Sequence, residues 1–232
     1  MTNKSARDSK YRKLILRHVA LKKEHPIHSG IAMQAHHLIS ASGVKISMTG
    51  NWLEKMGYNI NLLPNLALIP STLQGACHLG VQPHKSGHTI ASEMEETDDD
   101  DMHPKDYHAL VARELRVLKA EIQSLCFGND QDALNKLNEK MNHLSEKILH
   151  KIQTTPHLMR LSAVADYYLP GLAGCGGVDN IPKREKGEVV QYTEKHICTV
   201  HRNHYMAQGK GQAKENITYK KPLLAYKLQV GN

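Results

Sequence analysis

The stretch Ala35-His36-His37-Leu38-Ile39 decides the fold of this chain. The residues before the histidine pair are mostly apolar from Ile31 onward, so residues 31–39 are predicted to form a strand that ends at two imidazoles. Adjacent histidines at a strand end can take different roles, one binding a cation and the other accepting a proton from water. The stretch therefore predicts metal-assisted hydrolysis.

Two downstream motifs extend this prediction. Asn65 lies in Pro64-Asn65-Leu66, at the start of a second predicted strand over Leu66–Ile69. His84 and His88 are four residues apart, a spacing that places both side chains on one face of a helix, and a helix is predicted from about Lys85 to Glu96. His84 and His88 could therefore bind one ion together with a histidine from the first strand.

These motifs resemble the AHH nucleases, a family of the HNH or His-Me finger superfamily. The resemblance covers roughly residues 31–96 and follows the family in order and spacing. It implies an α+β fold with a ββα-metal core, in which one strand carries the histidine pair, a second strand follows a loop, and a helix supplies further ligands. The segments that carry it are Ala35–Ile39, Trp52–Asn61, Asn65–Pro70 and His84–His88.

The resemblance also implies roles for individual residues. His36, His84 and His88 would bind one divalent cation, and His37 would be the general base. Asn65 would accept a hydrogen bond from one ring nitrogen of His37 and leave the other free to act as a base. The segment between the second strand and His84 is long and contains His78, which is an additional candidate ligand.

The identity of the cation stays open at this point. Phosphate chemistry in cells usually uses abundant Mg²⁺, so Mg²⁺ is the expected cofactor. Three imidazole ligands favour Mn²⁺, Ni²⁺ or Zn²⁺ in affinity, and these ions are the alternatives.

The positive charge of the chain is concentrated at its two ends. The sequence has 232 residues and a net charge of +7, with eight Lys and Arg against two acids in residues 1–30 and ten against four in residues 180–232. Residues 31–179 have twelve bases and seventeen acids. Such basic arms suit a phosphate backbone, although exposed lysines can also serve only solubility.

Helical periodicity predicts a mostly helical surround for the core. Residues 6–23 form a basic amphipathic pattern that could lie along DNA or cover the core, and a short helix is predicted between Thr49 and Gly57. Apolar stripes over residues 105–155 predict a helical hairpin, with Asp130 capping its second helix. The stripes favour packing in the core over docking to a partner.

Four regions follow from these patterns. Residues 1–30 are a basic N-terminal helical arm, residues 31–104 the nuclease core, residues 105–155 the helical hairpin, and residues 156–232 a basic C-terminal region with loops and short strands. The predicted strands lie near Glu188–Tyr192 and Leu223–Leu228, and residues 208–221 are predicted to be a flexible basic tail.

Other histidines and the cysteines give weaker signals. His196, Cys198, His201 and His204 could bind a second zinc ion or lie on a strand at the surface, and His103 and His108 are predicted surface residues. The four cysteines form no CxxC pair, which favours a reducing compartment. No apolar run is long enough for a membrane span and no secretory signal is evident, so we expect a cytoplasmic location in the producing cell and no membrane partner.

The sequence as a whole predicts a metal-dependent endonuclease that cuts DNA with little base specificity. The resemblance further implies an antibacterial toxin, carried by a secretion system into the cytoplasm of a target cell and neutralised in the producer by an immunity protein. Two alternatives stay open. One is a metal-stabilised nucleic-acid-binding adaptor without catalysis, and the other is a ribonuclease of the same fold.

Overall fold

The fold is built from one two-stranded sheet and a set of surrounding helices. The computed structural model describes residues 10–84, 105–125, 129–161, 183–185, 188–190, 217–219 and 224–232. Its helices are α1 (Lys10–Ala20), α2 (Ala41–Ser47), α3 (Gly50–Lys55), α4 (Leu73–Leu79), α5 (Lys105–Gln123) and α6 (Asp130–Thr154), with 3₁₀ turns at Pro26–Ser29 and Leu63–Asn65. Its strands are β1 (Met33–His37), β2 (Leu66–Pro70), β3 (Lys183–Glu185) and β4 (Glu188–Val190).

Strands β1 and β2 form the antiparallel pair that the sequence predicts. Their register places Ala35 opposite Leu68, His36 opposite Ala67 and His37 opposite Leu66. Both strands are almost entirely buried, as expected for apolar strands covered on both faces. The histidine pair therefore lies at the end of a strand inside the protein.

The connection between β1 and β2 is helical. The Ser40 side chain caps α2 by accepting a hydrogen bond from Gly43 N at 3.0 Å, which satisfies a backbone group that a helix start leaves free. Helix α3 follows, and the chain leaves it through Gly57 at a positive φ of 78°. The predicted short helix is thus confirmed, whereas α2 was not predicted.

Helix α1 covers the sheet with its apolar side. Ile15 and Val19 are buried in the same core as the strands. Lys13 and Arg17, which also lie four residues apart, are exposed. The predicted basic amphipathic helix is confirmed, and its apolar side packs on the core.

Helices α5 and α6 form the predicted hairpin. The cap of α6 differs from the prediction: Asn129 Oδ1 accepts from Asp132 N at 2.9 Å, and Asp130 is the first helical residue. Between the helices, Glu114 binds Lys147 at 2.8 Å and Lys151 at 3.0 Å. Partial burial raises the pKa of Glu114, but the hydrogen bonds from the two lysines outweigh this effect and leave the pKa below its usual value.

The segment 224–232 lies along the second edge of β2. Leu68 N donates to Asn232 O at 2.5 Å, and Gly231 N donates to Leu66 O at 2.6 Å. Leu228 is buried in the common core. The segment is not a regular strand, so the strand predicted near Leu223–Leu228 is wrong for its described part. Its hydrogen bonds nevertheless cover backbone groups that an edge strand would expose.

One hydrophobic core joins the elements around the sheet. Residues from α1, both strands, α5, α6 and the segment 224–232 contribute to it. In the described part of the chain, no helix is long and apolar enough to cross a bilayer. Strand β4 confirms the strand predicted near residue 188 and pairs with β3. Five features of the sequence lie outside the described residues: the predicted helix over residues 85–96, His88, His103, the group from His196 to His204, and the tail 208–216.

Replacing Gly43 by Ala should destabilise the packing of α2 against α5. A Cβ at this position would lie 2.6 Å from Val111 Cγ1 and 2.9 Å from Val111 Cβ. Val111 is fully buried and β-branched, so it cannot rotate away easily. We expect a loss of about 1–3 kcal/mol in the free energy of unfolding, measured by urea denaturation.

Gly50→Ala is the matched control, because a Cβ there would lie 3.5 Å from Val44 Cγ1, an ordinary contact. This variant should be neutral or more stable by up to about 1 kcal/mol. Equal stability of the two variants would contradict the close approach of α2 and α5.

Candidate active site

The β1 strand places its two histidines on opposite faces of the sheet. Successive side chains of a strand point to opposite sides, so His36 and His37 have different neighbours. His36 contacts His84 and Tyr107 of α5, whereas His37 contacts Asn61 and Tyr11 of α1. One strand end thus supplies two imidazoles with separate environments.

His36 is held in one tautomer by Tyr107. Its Nε2 lies 2.8 Å from Tyr107 Oη, and that hydroxyl donates its proton to Leu38 O at 2.7 Å. A phenol has a single proton, so Oη must accept the hydrogen bond from His36 Nε2–H. His36 Nδ1 therefore carries the lone pair. This is the arrangement of a histidine ligand whose second nitrogen is fixed by a neighbouring group.

The Nδ1 atom of His36 points at His84. It lies 3.0 Å from His84 Nε2, and both side chains are 2% exposed. A cation bound at about 2.0–2.1 Å to each nitrogen would hold the two nitrogens roughly 3 Å apart. The geometry therefore fits two ligands of one metal ion.

The backbone at His84 is tied to the sheet. His84 N donates to Pro70 O at 2.8 Å, at the end of β2, although α4 lies between them in the sequence. His84 itself belongs to no helix. This hydrogen bond holds His84 beside the strand pair. The sequence had predicted that a helix would place His84 there.

The third predicted ligand, His88, lies outside the described residues. Within the ranges that the structure describes, no group of three His, Cys, Asp or Glu side chains is close enough to hold a metal ion. The additional candidate His78 lies in α4 and is half-buried. The structure thus brings together two of the predicted ligands, His36 and His84.

His37 is oriented by Asn61. Its Nε2 lies 2.9 Å from Asn61 Oδ1, which can only accept, so Nε2 carries the ring proton and Nδ1 the lone pair. The Tyr11 ring lies on His37 with 4.2 Å between the ring centres and 46° between the ring planes. In its neutral form His37 therefore has its lone pair on Nδ1.

The predicted hydrogen bond between Asn65 and His37 is wrong. Asn65 is 1% exposed, and its Oδ1 accepts from Ile39 N at 2.8 Å and Ser145 Oγ at 3.0 Å. Its Nδ2 donates to Ile39 O at 3.1 Å and Ile60 O at 2.8 Å. All four hydrogen-bonding positions of the amide are thus filled by other partners. Asn65 closes the connection between the strands and ties it to α6.

Three residues of the site were not predicted as site residues: Asn61, Tyr11 and Tyr107. Both tyrosines were assigned from their spacing to the apolar sides of helices, and no local pattern distinguishes them from core residues. His108, predicted at the surface, is 5% exposed, and its Nδ1 lies 2.9 Å from Ser40 Oγ. It therefore belongs to the packing between α5 and the start of α2.

Comparison with known proteins shows the family of this chain. A family model described as a nuclease family of the HNH/ENDO VII superfamily with conserved AHH matches residues 19–141, which is more than half of the chain. No curated protein and no solved structure matches the chain. The matched region includes both strands, the histidine pair, His84 and the Tyr107 that holds His36.

Replacing Tyr107 by Phe should weaken metal binding. The change removes the hydroxyl that fixes the His36 tautomer, and loss of such a partner typically costs about 10–100-fold in metal affinity. Titration of the purified protein with Zn²⁺ in a calorimeter, at a temperature where it is folded, measures this loss.

Ser145→Ala is the control for general destabilisation, because it also removes a buried hydroxyl, one that donates to Asn65 at 3.0 Å. It should lower stability by about 1–3 kcal/mol and leave the affinity for Zn²⁺ unchanged. If Tyr107→Phe binds Zn²⁺ as the wild type does, the tyrosine only supports the fold.

Proposed function

The chain belongs to the AHH nuclease family of the HNH/ENDO VII superfamily, and on that premise we propose that it is a metal-dependent endonuclease. Its substrate is the phosphodiester backbone of DNA, which it cuts with little base specificity. The observation that supports this most directly is the pair of opposite environments at His36 and His37. His36 presents its lone pair to His84. The contact of His37 with Asn61 places the His37 lone pair on Nδ1, which is not one of the proposed metal-binding nitrogens.

His36 and His84 are the proposed ligands of one divalent cation, with His88 as the third and His78 as an additional candidate. The spacing fits a cation, as His36 Nδ1 and His84 Nε2 lie 3.0 Å apart, and the contact with Tyr107 places the His36 lone pair on Nδ1. When bound, the ion would stabilise negative charge on the phosphoryl group and on the leaving oxygen. We propose Mg²⁺ as the working ion, with Mn²⁺, Ni²⁺ or Zn²⁺ as alternatives.

His37 is the proposed general base. Its Nδ1 would take a proton from the attacking water, and Asn61 would stabilise the resulting imidazolium by accepting from Nε2–H. Asn61 acts through His37 and is a positioning residue. Asn65 is given a structural role instead, because its amide is fully used between Ile39, Ile60 and Ser145.

The nuclease activity can be tested with supercoiled plasmid and with total RNA. The wild type should nick plasmid in the presence of Mg²⁺ and lose this activity in chelator. His37→Ala should lower the turnover number by about 10²–10⁴-fold with little change in KM, because a general base acts mainly in the chemical step. Asn61→Ala should lower it by a smaller factor, also without a change in KM.

Each outcome of this assay identifies one function. Cleavage of RNA alone would assign the chain as a ribonuclease of the same fold. If the protein binds DNA or RNA but cleaves neither with any metal tried, the proposed enzyme activity is wrong and the chain is a nucleic-acid-binding adaptor. Circular dichroism of His37→Ala verifies that the variant is folded.

We also propose that the endonuclease is an antibacterial effector. In this role a secretion system carries it into the cytoplasm of a target cell, and an immunity protein covers the active site in the producer. This proposal relies on the resemblance of the AHH motif to toxin modules. The effector role depends on the nuclease activity, because cleavage of DNA in an unprotected cell is lethal.

Expression in an unprotected bacterial host tests the effector role. Induction of the wild type should stop growth, and induction of His37→Ala at the same protein level should not. Growth that continues with active wild-type enzyme in the cells would argue against the toxin.

A further inference from the structure

Helix α1 carries cations that the rest of the described protein does not neutralise. Its sequence from Lys10 to Ala20 contains no acidic residue. Lys13 and Arg17 are exposed, and in the described part of the chain neither forms an ion pair. A residue spacing of four places them on the same side of the helix, about 6 Å apart along its axis.

The long helix α6 shows the opposite pattern. Lys136 pairs with Glu139 at 2.7 Å, Lys140 with Glu121 at 3.3 Å, and Lys147 and Lys151 share Glu114. The four lysines of α6 therefore have acidic partners, whereas Lys13 and Arg17 of α1 have none in the described part of the chain. Solubility alone would not require this difference, because paired and unpaired lysines both keep a surface polar.

The position of α1 relative to the site gives its charge a function. Ile15 and Val19 fix the helix on the sheet, and Tyr11 at its start contacts the ring of His37. The cations Lys13 and Arg17 are carried on the same short helix, within two turns of Tyr11. The charge of Lys13 and Arg17 is therefore carried on an element that contacts His37 through Tyr11.

We propose that the Lys13–Arg17 side of α1 is a surface that binds backbone phosphates of the substrate. The inference rests on the proposed function and adds the element that holds the substrate. The contact would be to phosphates, which attract Lys and Arg side chains whatever the base sequence, and so it would position the substrate without reading its bases. It would serve affinity and alignment, and it would release counterions from the nucleic acid.

The test measures binding apart from cleavage. The full chain with Lys13→Gln and Arg17→Gln is titrated with a fluorescent DNA duplex in chelator, over a range of NaCl concentrations. The salt dependence of log K should fall by roughly two, because each lost phosphate contact removes about 0.9 from the slope. At about 0.1 M salt the affinity should fall roughly tenfold or more.

The matched control carries Lys136→Gln and Lys140→Gln. These residues are partly exposed cations, also four apart on a helix, but each already has an acidic partner. This control changes the net charge by the same amount and should leave the slope close to that of the wild type. Equal losses of affinity in the two double variants would show an effect of net charge and overturn the proposal. A salt slope that neither double variant changes would also overturn it, as would a wild type that binds no duplex.

A cleavage assay separates this proposal from the proposed function. If the wild type cuts plasmid and the Lys13/Arg17 variant cuts it with unchanged KM, the proposed role of the α1 surface is wrong and the proposed nuclease activity is retained. If the wild type binds duplex through α1 but never cuts it, the nuclease is wrong while the surface stands. The expected result is a raised KM with a nearly unchanged turnover number.

Discussion

The antiparallel pairing of β1 with β2 is the constraint on which the site depends. The pairing fixes His36 opposite Ala67 and His37 opposite Leu66, so neither imidazole can turn to the face of the other. A shift of the register by one residue would exchange their environments. His36 then meets Tyr107 of α5, and His37 meets Tyr11 of α1.

Burial makes the orientation of these side chains strict. His36, His37, Asn65 and His84 are all at most 4% exposed, so their polar atoms must find partners inside the protein. Tyr107, whose hydroxyl donates to Leu38 O, satisfies one nitrogen of His36, and Asn61 satisfies one nitrogen of His37. The remaining nitrogens are the ones to which we assign metal binding and proton transfer. The hydrogen bonds that stabilise the fold thus also select the tautomers of the site.

The sequence predicts the frame of this site better than its hydrogen bonds. The strands, the histidine pair and the helical hairpin follow from apolar periodicity and spacing, which reflect local geometry. Tyr107 was visible only as one member of an apolar stripe, because the side chain it meets is 71 residues away in sequence. Helix α4 has only seven residues, and a helix of that length gives little periodic signal. It was missed for that reason.

The asparagine that contacts His37 is Asn61 and not the predicted Asn65, and this difference has a specific cause. The turn Leu63–Asn65 directs Asn65 into the interior, where it holds Ile39 and Ile60, and leaves Asn61 beside His37. Two asparagines four residues apart offer the same chemistry, so only the path of the backbone distinguishes them. Such a choice depends on a 3₁₀ turn that residue types alone do not specify.

The distribution of charge completes the relation between fold and substrate. Residues 31–179 contain five more acids than bases, and lysines on α6 pair with Glu114, Glu121 and Glu139. Residues 31–84, which hold the histidines of the site, contain only two lysines and one glutamate, so they offer a polyanion little attraction of their own. Helix α1 belongs to the basic end of the chain, yet it packs on the sheet through Ile15 and Val19. Packing of this helix thus brings positive charge to a site whose own sequence lacks it.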